Sequence, residues 1–400
     1  MLRRIYLDHS ATTPVRPEVV QAISEYMLEK YGNASSVHSF GREAREGTDE
    51  GRERLARLIG ASPSDIIFTS GGTESDNLAV KGLAEAYASK GKHIITSQIE
   101  HHALLHTCEY LEKHGARVTY LPVDQYGSVD PEDVRKAIAP DTILVSIMMA
   151  NNEIGTIQDV AEIGRICQKS GVLFHSDAVQ ALGQLPIDVR KLGIDLMSVS
   201  SHKIYGPKGI GALYIRKGIR IASQAHGGHH ERGKRAGTEN VPGIVGFGLA
   251  AELARVEFDE RVKHYSLVRD RLMDGIMARI PEVRLNGHRT KRLPNNCNIS
   301  VLYVEGESML LNLDMKGIAA SSGSACTSGS LDPSHVLMAC GLKHEEAHGS
   351  LRMTVGTQTT TEDIDYVVAE LPPIVERLRA MSPLYSEREK ETGKACTQTR

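Results

Sequence analysis

The most regular feature of the sequence is a series of short apolar segments between about residues 60 and 220. Seven of them alternate with helix-like stretches: DIIFTS, KHIITS, RVTYLPV, TILVSIMMA, GVLFHSD, IDLMSVSS and GALYI. Most are nearly continuous apolar runs, which is typical of strands that are buried on both faces. The pattern therefore predicts an α/β fold, in which helices cover a mostly parallel sheet.

The chain outside this region predicts a second, smaller unit. Residues 242–280 have a helical period, and we expect them to form a long helix that leads into it. The later segments NNCNISVLYV and GSLRMTVG indicate an α+β arrangement. We expect a large domain over residues 12–255, a small domain over 1–11 and 256–385, and a flexible tail over 386–400, which lacks apolar anchors.

Two local signals concern the last predicted helix, which contains TEDIDYVVAEL. Thr360 and Asp363 form a capping-box pattern, which predicts the start of the helix. Pro372 and Pro373 predict a kink or an interruption, because proline lacks the backbone N–H and clashes with the preceding turn.

The amino-acid composition indicates a globular protein. The 400 residues include 40% hydrophobic and 24% charged residues, which is ordinary for a globular protein. The near balance of 47 basic and 50 acidic residues gives no argument for binding to nucleic acid or to an anionic membrane. The longest apolar runs are too short to span a bilayer. We therefore expect a cytoplasmic protein with no nucleic-acid or membrane partner.

The six cysteines are widely spaced, and none belongs to a C-x-x-C pair. This spacing suits neither a zinc module nor a small disulfide scaffold. One cysteine has unusual neighbours, since Cys326 lies in SSGSACTSGSLDPSH, a run of small polar residues. A free cysteine kept for packing normally lies among apolar neighbours. The position of Cys326 in a predicted loop of this kind therefore indicates a reactive thiol rather than one kept for packing.

Polar side chains follow four of the predicted strands, at the point where each strand ends. The segments are GGTESDN, NNEIG, DAVQ and SHKIYGPKG, and within them Asn152, Asp177 and Lys203 recur about every 25 residues. In an open parallel sheet, ligands bind outside the carboxyl ends of the strands. We therefore expect these side chains to lie along one rim of the sheet.

The segment GGTESDN has the form of an anion site. Its two glycines allow a tight turn, and Thr73 offers a hydroxyl group. A helix is predicted to begin there, and the N–H groups at a helix N-terminus suit a phosphate. A simple turn followed by a helix is the other interpretation, and this segment alone leaves both open.

Lys203 and Asp177 indicate which anion would bind. Burial of a lysine at a strand end disfavours the ammonium form and leaves a nucleophilic amine for Schiff-base chemistry, although a surface lysine is the more common case. Asp177 is either a helix cap or the charge partner of a protonated pyridine nitrogen. A phosphate site, an amine and an acid at one rim point together to pyridoxal 5′-phosphate.

The segment EHHAL places His101 after another predicted strand. Its imidazole titrates near neutral pH and is suited to stack on a cofactor ring and to move protons, whereas a helix cap is the simpler interpretation. Zinc binding is not favoured, because no carboxylate or thiol completes a ligand set, and we predict no resident metal. The histidine sets considered for zinc are His101, His102 and His106, and His226, His229 and His230.

Together these motifs resemble the pyridoxal-phosphate cysteine desulfurases of the class V aminotransferase fold. Nine segments occur in the order of that family over essentially residues 5–385: YLDHSATTPV, GGTESDN, EHHALLHTCEYL, NNEIGTIQD, DAVQALGQLPID, SSHKIYGPKGIGALY, HGGHHERGKRAGTEN, SSGSACTSGSLDPSHV and MSPLY. Within the family, the chain is similar to both the nitrogen-fixation (NifS) and the iron–sulfur housekeeping (IscS) groups, and it does not decide between the two pathways.

For the cofactor, the resemblance implies a covalent anchor, a ring partner and a phosphate cradle. Lys203 would bond to the aldehyde, and Asp177 would pair with the pyridine nitrogen. The other cofactor contacts would come from His101, which would stack on the ring, and from Gly72, Thr73, Asn152, Gln180, Ser200, His202 and Thr238. Of these, Thr238 would reach the phosphate of the partner subunit, which implies an obligate homodimer.

For the substrate, the resemblance implies L-cysteine bound by Asn152 and by the planar guanidinium of Arg352. The Cys326 thiolate would attack the substrate sulfur, Lys203 would move the α-proton, and His101 would accept the thiol proton. Alanine would leave, and a persulfide would remain on Cys326 for an iron–sulfur scaffold or another sulfur-acceptor protein. A loop suits a thiol that has to reach two places.

Alternatives stay open at this point. A selenocysteine lyase would use the same residues, and service of Cys326 as a transient ligand of an iron–sulfur cluster is a further alternative. A non-catalytic sulfur-transfer or cluster scaffold is the alternative of another class, and the lack of paired cysteines argues against it. Thr357 and Gln358 stand where the family usually has an arginine and an aromatic residue, so the packing after Arg352 does not follow from the resemblance.

Overall fold

The computed structural model describes residues 3–322 and 333–391. Its larger sheet has seven strands, and all seven predicted segments form them. After a short β1 (Ile5–Tyr6), these strands are β2 (Ile66–Thr69), β3 (His93–Ser97), β4 (Arg117–Leu121), β5 (Thr142–Ser146), β6 (Leu173–Asp177), β7 (Leu196–Ser200) and β8 (Gly211–Ile215). Their order across the sheet is β2-β8-β7-β6-β5-β3-β4. Only β8 pairs antiparallel, with β2 and β7, so the prediction of a mostly parallel sheet is confirmed.

Helices cover both faces of this sheet. Alternate residues of one strand therefore enter different cores: Ile66 and Phe68 pack in one cluster with helices α2 and α7, whereas Ile67 packs with α3 and α4 in another. Such two-sided burial explains why the strands read as continuous apolar runs. The helices of this unit are α1 (Pro17–Leu28), α2 (Ser39–Leu58), α3 (Gly72–Ala86), α4 (His102–Lys113), α5 (Pro131–Ala137), α6 (Val160–Ser170) and α7 (Val241–Val256).

The remaining elements surround a second apolar core. Its antiparallel sheet has the order β12-β10-β9, and β1 pairs in parallel with β11. Ile5 and Leu7 from the N-terminal segment pack in the same cluster as α8, α9 and α12. The elements are α8 (Phe258–Arg279), β9 (Val283–Leu285), β10 (Asn296–Val301), α9 (Gly306–Met315), β11 (Ile318–Ala319), α10 (His335–Ala339), α11 (His344–His348), β12 (Ser350–Thr354), α12 (Thr361–Ala380) and α13 (Pro383–Glu391).

The helices differ from the sequence-based expectation in two places. The long helix expected over 242–280 is divided into α7 and α8 at Glu257. The predicted interruption of the last helix was wrong, because α12 continues through Pro372 and Pro373. Buried side chains on both sides of the prolines, such as Val368 and Ile374, pack into the second core, and this packing outweighs the lost backbone hydrogen bonds.

Two further predictions concern the start of α12, where a capping box is expected, and the segment after its end, where a flexible tail is expected. The capping box is confirmed, since the Thr360 hydroxyl accepts from the N–H of Asp363 and the Asp363 carboxylate accepts from the N–H of Thr360, both at 3.1 Å. After α12, residues 386–391 of the expected tail lie in helix α13, and residues 392–400 are outside the described part.

A helix that crosses a bilayer has to be both long and largely apolar. No helix within residues 3–322 and 333–391 meets these two requirements. The expected cytoplasmic location stays a prediction.

Candidate active site

A cavity of about 360 Å³ lies at the carboxyl ends of β5, β6 and β7, next to the N-terminus of α3. Its volume is in the range of small-molecule sites. Ten of the residues predicted from the sequence line it: Gly72, Thr73, His101, Asn152, Asp177, Gln180, Ser200, His202, Lys203 and Arg352. The fold thus brings together residues that are up to 280 positions apart, from 72 to 352: the parallel strands contribute Asn152, Asp177 and Lys203, and the second sheet contributes Arg352.

Two of the predicted residues are not found in this lining. Thr238 is exposed in the segment before α7 and does not line the cavity. Cys326 lies outside the described residues, so its proposed role stays a prediction.

Lys203 extends from a short 3-10 turn directly after β7 toward the N-terminal segment. Its Nζ atom donates to the carbonyl oxygens of Ser10 and Ala11, the latter at 2.8 Å. The side chain is partly buried, and its charge acts on Asp177. The amine therefore lies in the cavity, where two backbone oxygens accept its hydrogen bonds.

Asp177 ends strand β6 and is 6% exposed. Its Oδ1 atom accepts a hydrogen bond from the N–H of Val179 at 2.8 Å. Burial raises the pKa of this carboxyl to about 6, while the Val179 N–H and the Lys203 charge favour the ionised form and oppose the rise. A cationic nitrogen placed against Asp177 would favour ionisation further, because an opposite charge stabilises the carboxylate.

Two histidines of the cavity are kept neutral by their surroundings. His101 caps α4, and its Nδ1 atom accepts from the N–H of Ala103 at 3.1 Å. Burial, assisted by the Lys203 charge, lowers the pKa of His101 to about 4. Burial and the same charge lower the pKa of His202 to about 4. His101 is therefore a helix cap through its Nδ1 atom, and its imidazole also lines the cavity.

The start of α3 forms a narrow cradle beside the sheet. A Cβ atom at Gly72 would lie 2.7 Å from Cγ2 of Val179, closer than real contacts allow. The first N–H groups of a helix have no partner within the helix and favour an anion, and Gly72 and Thr73 of this turn both line the cavity. Ser200, which ends β7, and His202, which follows it in the 3-10 turn, also line the cavity.

Arg352 connects the second sheet to the cavity. It is 3% exposed, and its guanidinium donates to Asp8 Oδ1 at 2.9 Å and to the backbone oxygen of Asn152 at 3.1 Å. Gln180 donates to the Ser10 carbonyl oxygen at 2.9 Å. The N-terminal segment thus reaches the site through backbone and side-chain contacts that the sequence patterns did not indicate.

Several residues of the cavity were not singled out from the sequence. Asp76 lies inside the quoted segment GGTESDN but received no role, because the segment does not show that its carboxyl is buried. Glu153 and His335 lie inside quoted motifs but received no role. The rings of His102 and His335 are 4.6 Å apart, yet within the described ranges no group of three or more histidine, cysteine or acidic side chains has the geometry of a metal site.

Pyridoxal 5′-phosphate is the group that the sequence predicts for this cavity. Its aldehyde requires an amine, its ring nitrogen an acid and its phosphate a set of N–H and hydroxyl donors. The cavity contains these as Lys203, Asp177 and the cradle at Gly72. The hydroxyl of Ser10 is buried there without a hydrogen-bond partner among the described residues. The residues therefore fit this cofactor.

The chain was then compared with known proteins. Its residues 5–367 match the family described as Aminotransferase class-V. A protein named Cysteine desulfurase IscS from Methanosarcina thermophila is 57% identical over 382 residues, which cover 96% of this chain and 94% of the relative. The protein of the same name from Dictyoglomus turgidum is 54% identical over 387 residues and covers 97% of this chain and 98% of the relative.

Solved structures agree with these matches. A structure titled NifS-like protein superposes with a TM-score of 0.89 at 40% identity, and the match covers 94% of this chain and all of the other. A NifS-like protein from Rickettsia africae superposes with a TM-score of 0.84 at 34% identity, again with coverage of 94% and 100%. The likeness therefore extends over both units of the fold.

Proposed function

The chain belongs to the cysteine desulfurases of the Aminotransferase class-V family, and from this premise we propose how its own residues carry out the reaction. The cofactor is pyridoxal 5′-phosphate held at Lys203, the substrate is L-cysteine, and the sulfur is received by Cys326. The products are L-alanine and a persulfide, which a sulfur-acceptor protein such as an iron–sulfur scaffold then takes up.

The observation that carries the proposal is the placement of Lys203, Asp177 and the α3 cradle in one cavity. When bound there, pyridoxal phosphate supplies an electron sink for the bonds at the substrate α-carbon. Asp177 would keep the ring nitrogen protonated, and Gly72 and Thr73 would hold the phosphate through N–H groups of the first helical turn. His202 and Ser200 would add further donors for the phosphate, and Gln180 would contact the ring oxygen.

The substrate carboxylate is bound by Arg352 and Asn152. Arg352 is buried and presents a planar set of donors, which suits a carboxylate. Its contact with the Asn152 backbone holds both residues at the same side of the cavity. This fixes the substrate with its α-carbon toward Lys203, whose amine then moves the α-proton.

His101 is assigned two roles: it would stack on the cofactor ring and accept the proton of the Cys326 thiol. The imidazole is neutral at physiological pH, but a pKa of about 4 also makes it a weak base, so it would accept the thiol proton only when anionic groups of the bound cofactor and substrate raise that pKa. Acceptance of the Cys326 proton would leave a thiolate, which is the nucleophilic form. The thiolate would then form an S–S bond to the substrate sulfur as the substrate Cβ–S bond breaks. The electron pair left on Cβ would take up a proton, which gives the methyl group of alanine.

A homodimer completes the site in this proposal. Thr238 is exposed and away from the cavity of its own chain, which is consistent with a role at the cavity of a partner subunit. Large apolar side chains around α1 and the segment after it are also exposed and would be covered by a partner. They are Met27, Leu28, Tyr31, Val37 and Phe40.

The test of this function follows one round of sulfur removal. Holoenzyme is mixed with L-cysteine, and alanine and protein-bound persulfide are measured for wild type, Cys326→Ala and Cys396→Ala. We expect equal amounts of alanine and persulfide in wild type and Cys396→Ala, and almost no persulfide in Cys326→Ala, which still binds cysteine and cofactor. Full desulfuration by Cys326→Ala would contradict the proposal.

Parallel assays separate the alternatives. Release of alanine from selenocysteine but not from cysteine would instead indicate a selenocysteine lyase. Cluster absorption without bound cofactor would indicate a scaffold.

A further inference from the structure

Asp76 is a buried acid in the cavity that the proposed reaction does not use. It lies near the start of α3, is 1% exposed and lines the cavity. Its Oδ1 atom is buried and has no hydrogen-bond partner among residues 3–322 and 333–391. A carboxyl group in this position carries a high cost unless its charge is removed or paired. The position therefore requires an explanation beyond packing.

Asp76 lies over a row of polar side chains that crosses three strands. The Ser198 hydroxyl hydrogen-bonds its carboxyl, and Ser198 is the residue of β7 that pairs in register with Asp177 of β6. The Nε2 atom of His175 lies 2.9 Å from Ser198 Oγ and 3.7 Å from Asp76 Oδ1, and its Nδ1 atom lies 2.7 Å from Ser146 Oγ. Burial lowers the pKa of His175 to about 3, so this imidazole is neutral.

The charged groups that face Asp76 are themselves acids. Asp177 raises the pKa of Asp76, after burial as the larger cause, and Glu100 adds to the effect from the loop after β3. Burial also raises the pKa of Glu100, to about 8, so this acid carries little charge near neutral pH. Lys203 is the cation that acts on Asp177, and its charge favours the ionised form of that acid.

Two carboxyl groups in one buried site do not both ionise, because each charge disfavours the other. Asp177 has an N–H donor from Val179 and the charge of Lys203 to stabilise its anion. Within the described residues, the groups that face Asp76 to stabilise an anion are the Ser198 hydroxyl and a neutral imidazole. The single negative charge therefore belongs on Asp177, and the proton belongs on Asp76.

We propose that Asp76 is a positioning residue, which stays protonated and thereby keeps Asp177 as the single ionised acid that faces the cofactor nitrogen. The inference rests on the proposed function, since Asp177 needs its charge only for a cationic ring. Neutral Asp76 provides a hydrogen-bond donor on the cavity floor and adds no second negative charge. The proposed role of Asp76 thus depends on its carboxyl staying protonated.

The experiment compares Asp76→Asn, which keeps the shape and a donor without any charge, with Asp76→Ala, which removes both. Apoprotein of each is titrated with pyridoxal phosphate between pH 6 and 9, and binding is followed by the absorbance of the bound cofactor. We expect Asp76→Ala to bind at least tenfold more weakly at every pH in this range, because it lacks the hydrogen-bond donor that protonated Asp76 provides. Asp76→Asn should stay within threefold of wild type. Equal losses in both variants, or no loss in either, would overturn the proposal.

A second measurement needs no cofactor. Apoprotein unfolding temperatures of wild type and Asp76→Asn are compared between pH 5 and 8. Folded wild type retains a proton on Asp76 that the unfolded chain has released, so wild type should lose stability relative to the variant as the pH rises. A difference that does not change with pH would contradict the protonation of Asp76. If wild type itself bound no pyridoxal phosphate, the proposed function would fail, while this comparison would still decide the state of Asp76.

Discussion

Asp8 and Arg352 form an ion pair at the edge of the cavity, with Oδ1 and Nη2 2.9 Å apart. The pair joins the N-terminal segment to strand β12, and it involves the arginine that we assign to the substrate carboxylate. A substrate carboxylate therefore has to share this guanidinium with Asp8 or displace it. The ion pair becomes a determinant of substrate affinity as well as a link between two parts of the fold.

Replacement of Asp8 by Asn should separate these two effects. Without the competing charge, the KM for L-cysteine should fall about two- to fivefold, the scale of a partly exposed ion pair. The unfolding temperature should fall as well, because the buried Arg352 guanidinium loses its ion pair with Asp8. Steady-state kinetics and thermal unfolding check both expectations. Asp274→Asn is the control, since it removes the acid of an exposed pair with Arg289, and an unchanged or higher KM in Asp8→Asn would contradict the competition.

Lys203→Ala should abolish covalent attachment of the cofactor and reduce turnover by about a thousandfold or more, because both the anchor and the proton-transferring amine are lost. Borohydride reduction followed by peptide mass analysis measures the attachment directly. Lys208→Ala is the matched control, as this lysine is exposed five residues later in the same segment. Cofactor trapped at Lys208, or on another lysine of wild type, would refute the assignment.

Gly72→Ala should weaken cofactor binding about tenfold or more, since its Cβ atom would meet Val179 Cγ2 at 2.7 Å. Alanine favours a helix more than glycine does, so a loss of affinity would not come from an unstable α3. The double variant Gly72→Ala/Val179→Ala removes the clashing methyl group and should recover most of the affinity. Titration of the three apoproteins with pyridoxal phosphate measures this, and a double variant as weak as Gly72→Ala would show that the clash is not the cause.

Acidification should destabilise the folded protein through its neutral histidines. The pKa of His101 is about 4 in the folded protein and about 6.5 in an unfolded chain. The unfolded chain therefore binds the additional proton first, and this contribution to stability is present above pH 6.5 and is lost as the pH falls from 6.5 toward 4. His101→Gln should flatten the profile in that window by roughly one proton. Denaturant unfolding at several pH values measures the slope, and an identical slope in the variant would exclude a neutral His101.

The elements around the sheet were predictable because their causes are local. Continuous apolar runs such as GVLFHSD indicated strands buried on both faces, and the structure forms all seven. The polar residues directly after these runs, Asn152, Asp177 and Lys203, had to meet at one rim once the strands were parallel. Local sequence thus determined the strands, and the rule for parallel sheets then located the cavity.

The features that were missed depend on contacts between distant residues. Helix α12 continues through Pro372 and Pro373 because side chains on both sides of them are held in the second core. The same is true of the pair formed by Asp8 and Arg352, which are 344 residues apart. No pattern of neighbouring residues contains this information.

By itself, the sequence determined the strands of the sheet, the motifs of the rim and the family to which they are similar. Only the tertiary structure decided which groups share one environment and therefore what charge each carries. Asp76 shows the physical reason. The protonation of a carboxyl depends on its distance from water and from other charges, and folding alone brings Asp76 beside Ser198, the register partner of Asp177, in a site closed to solvent.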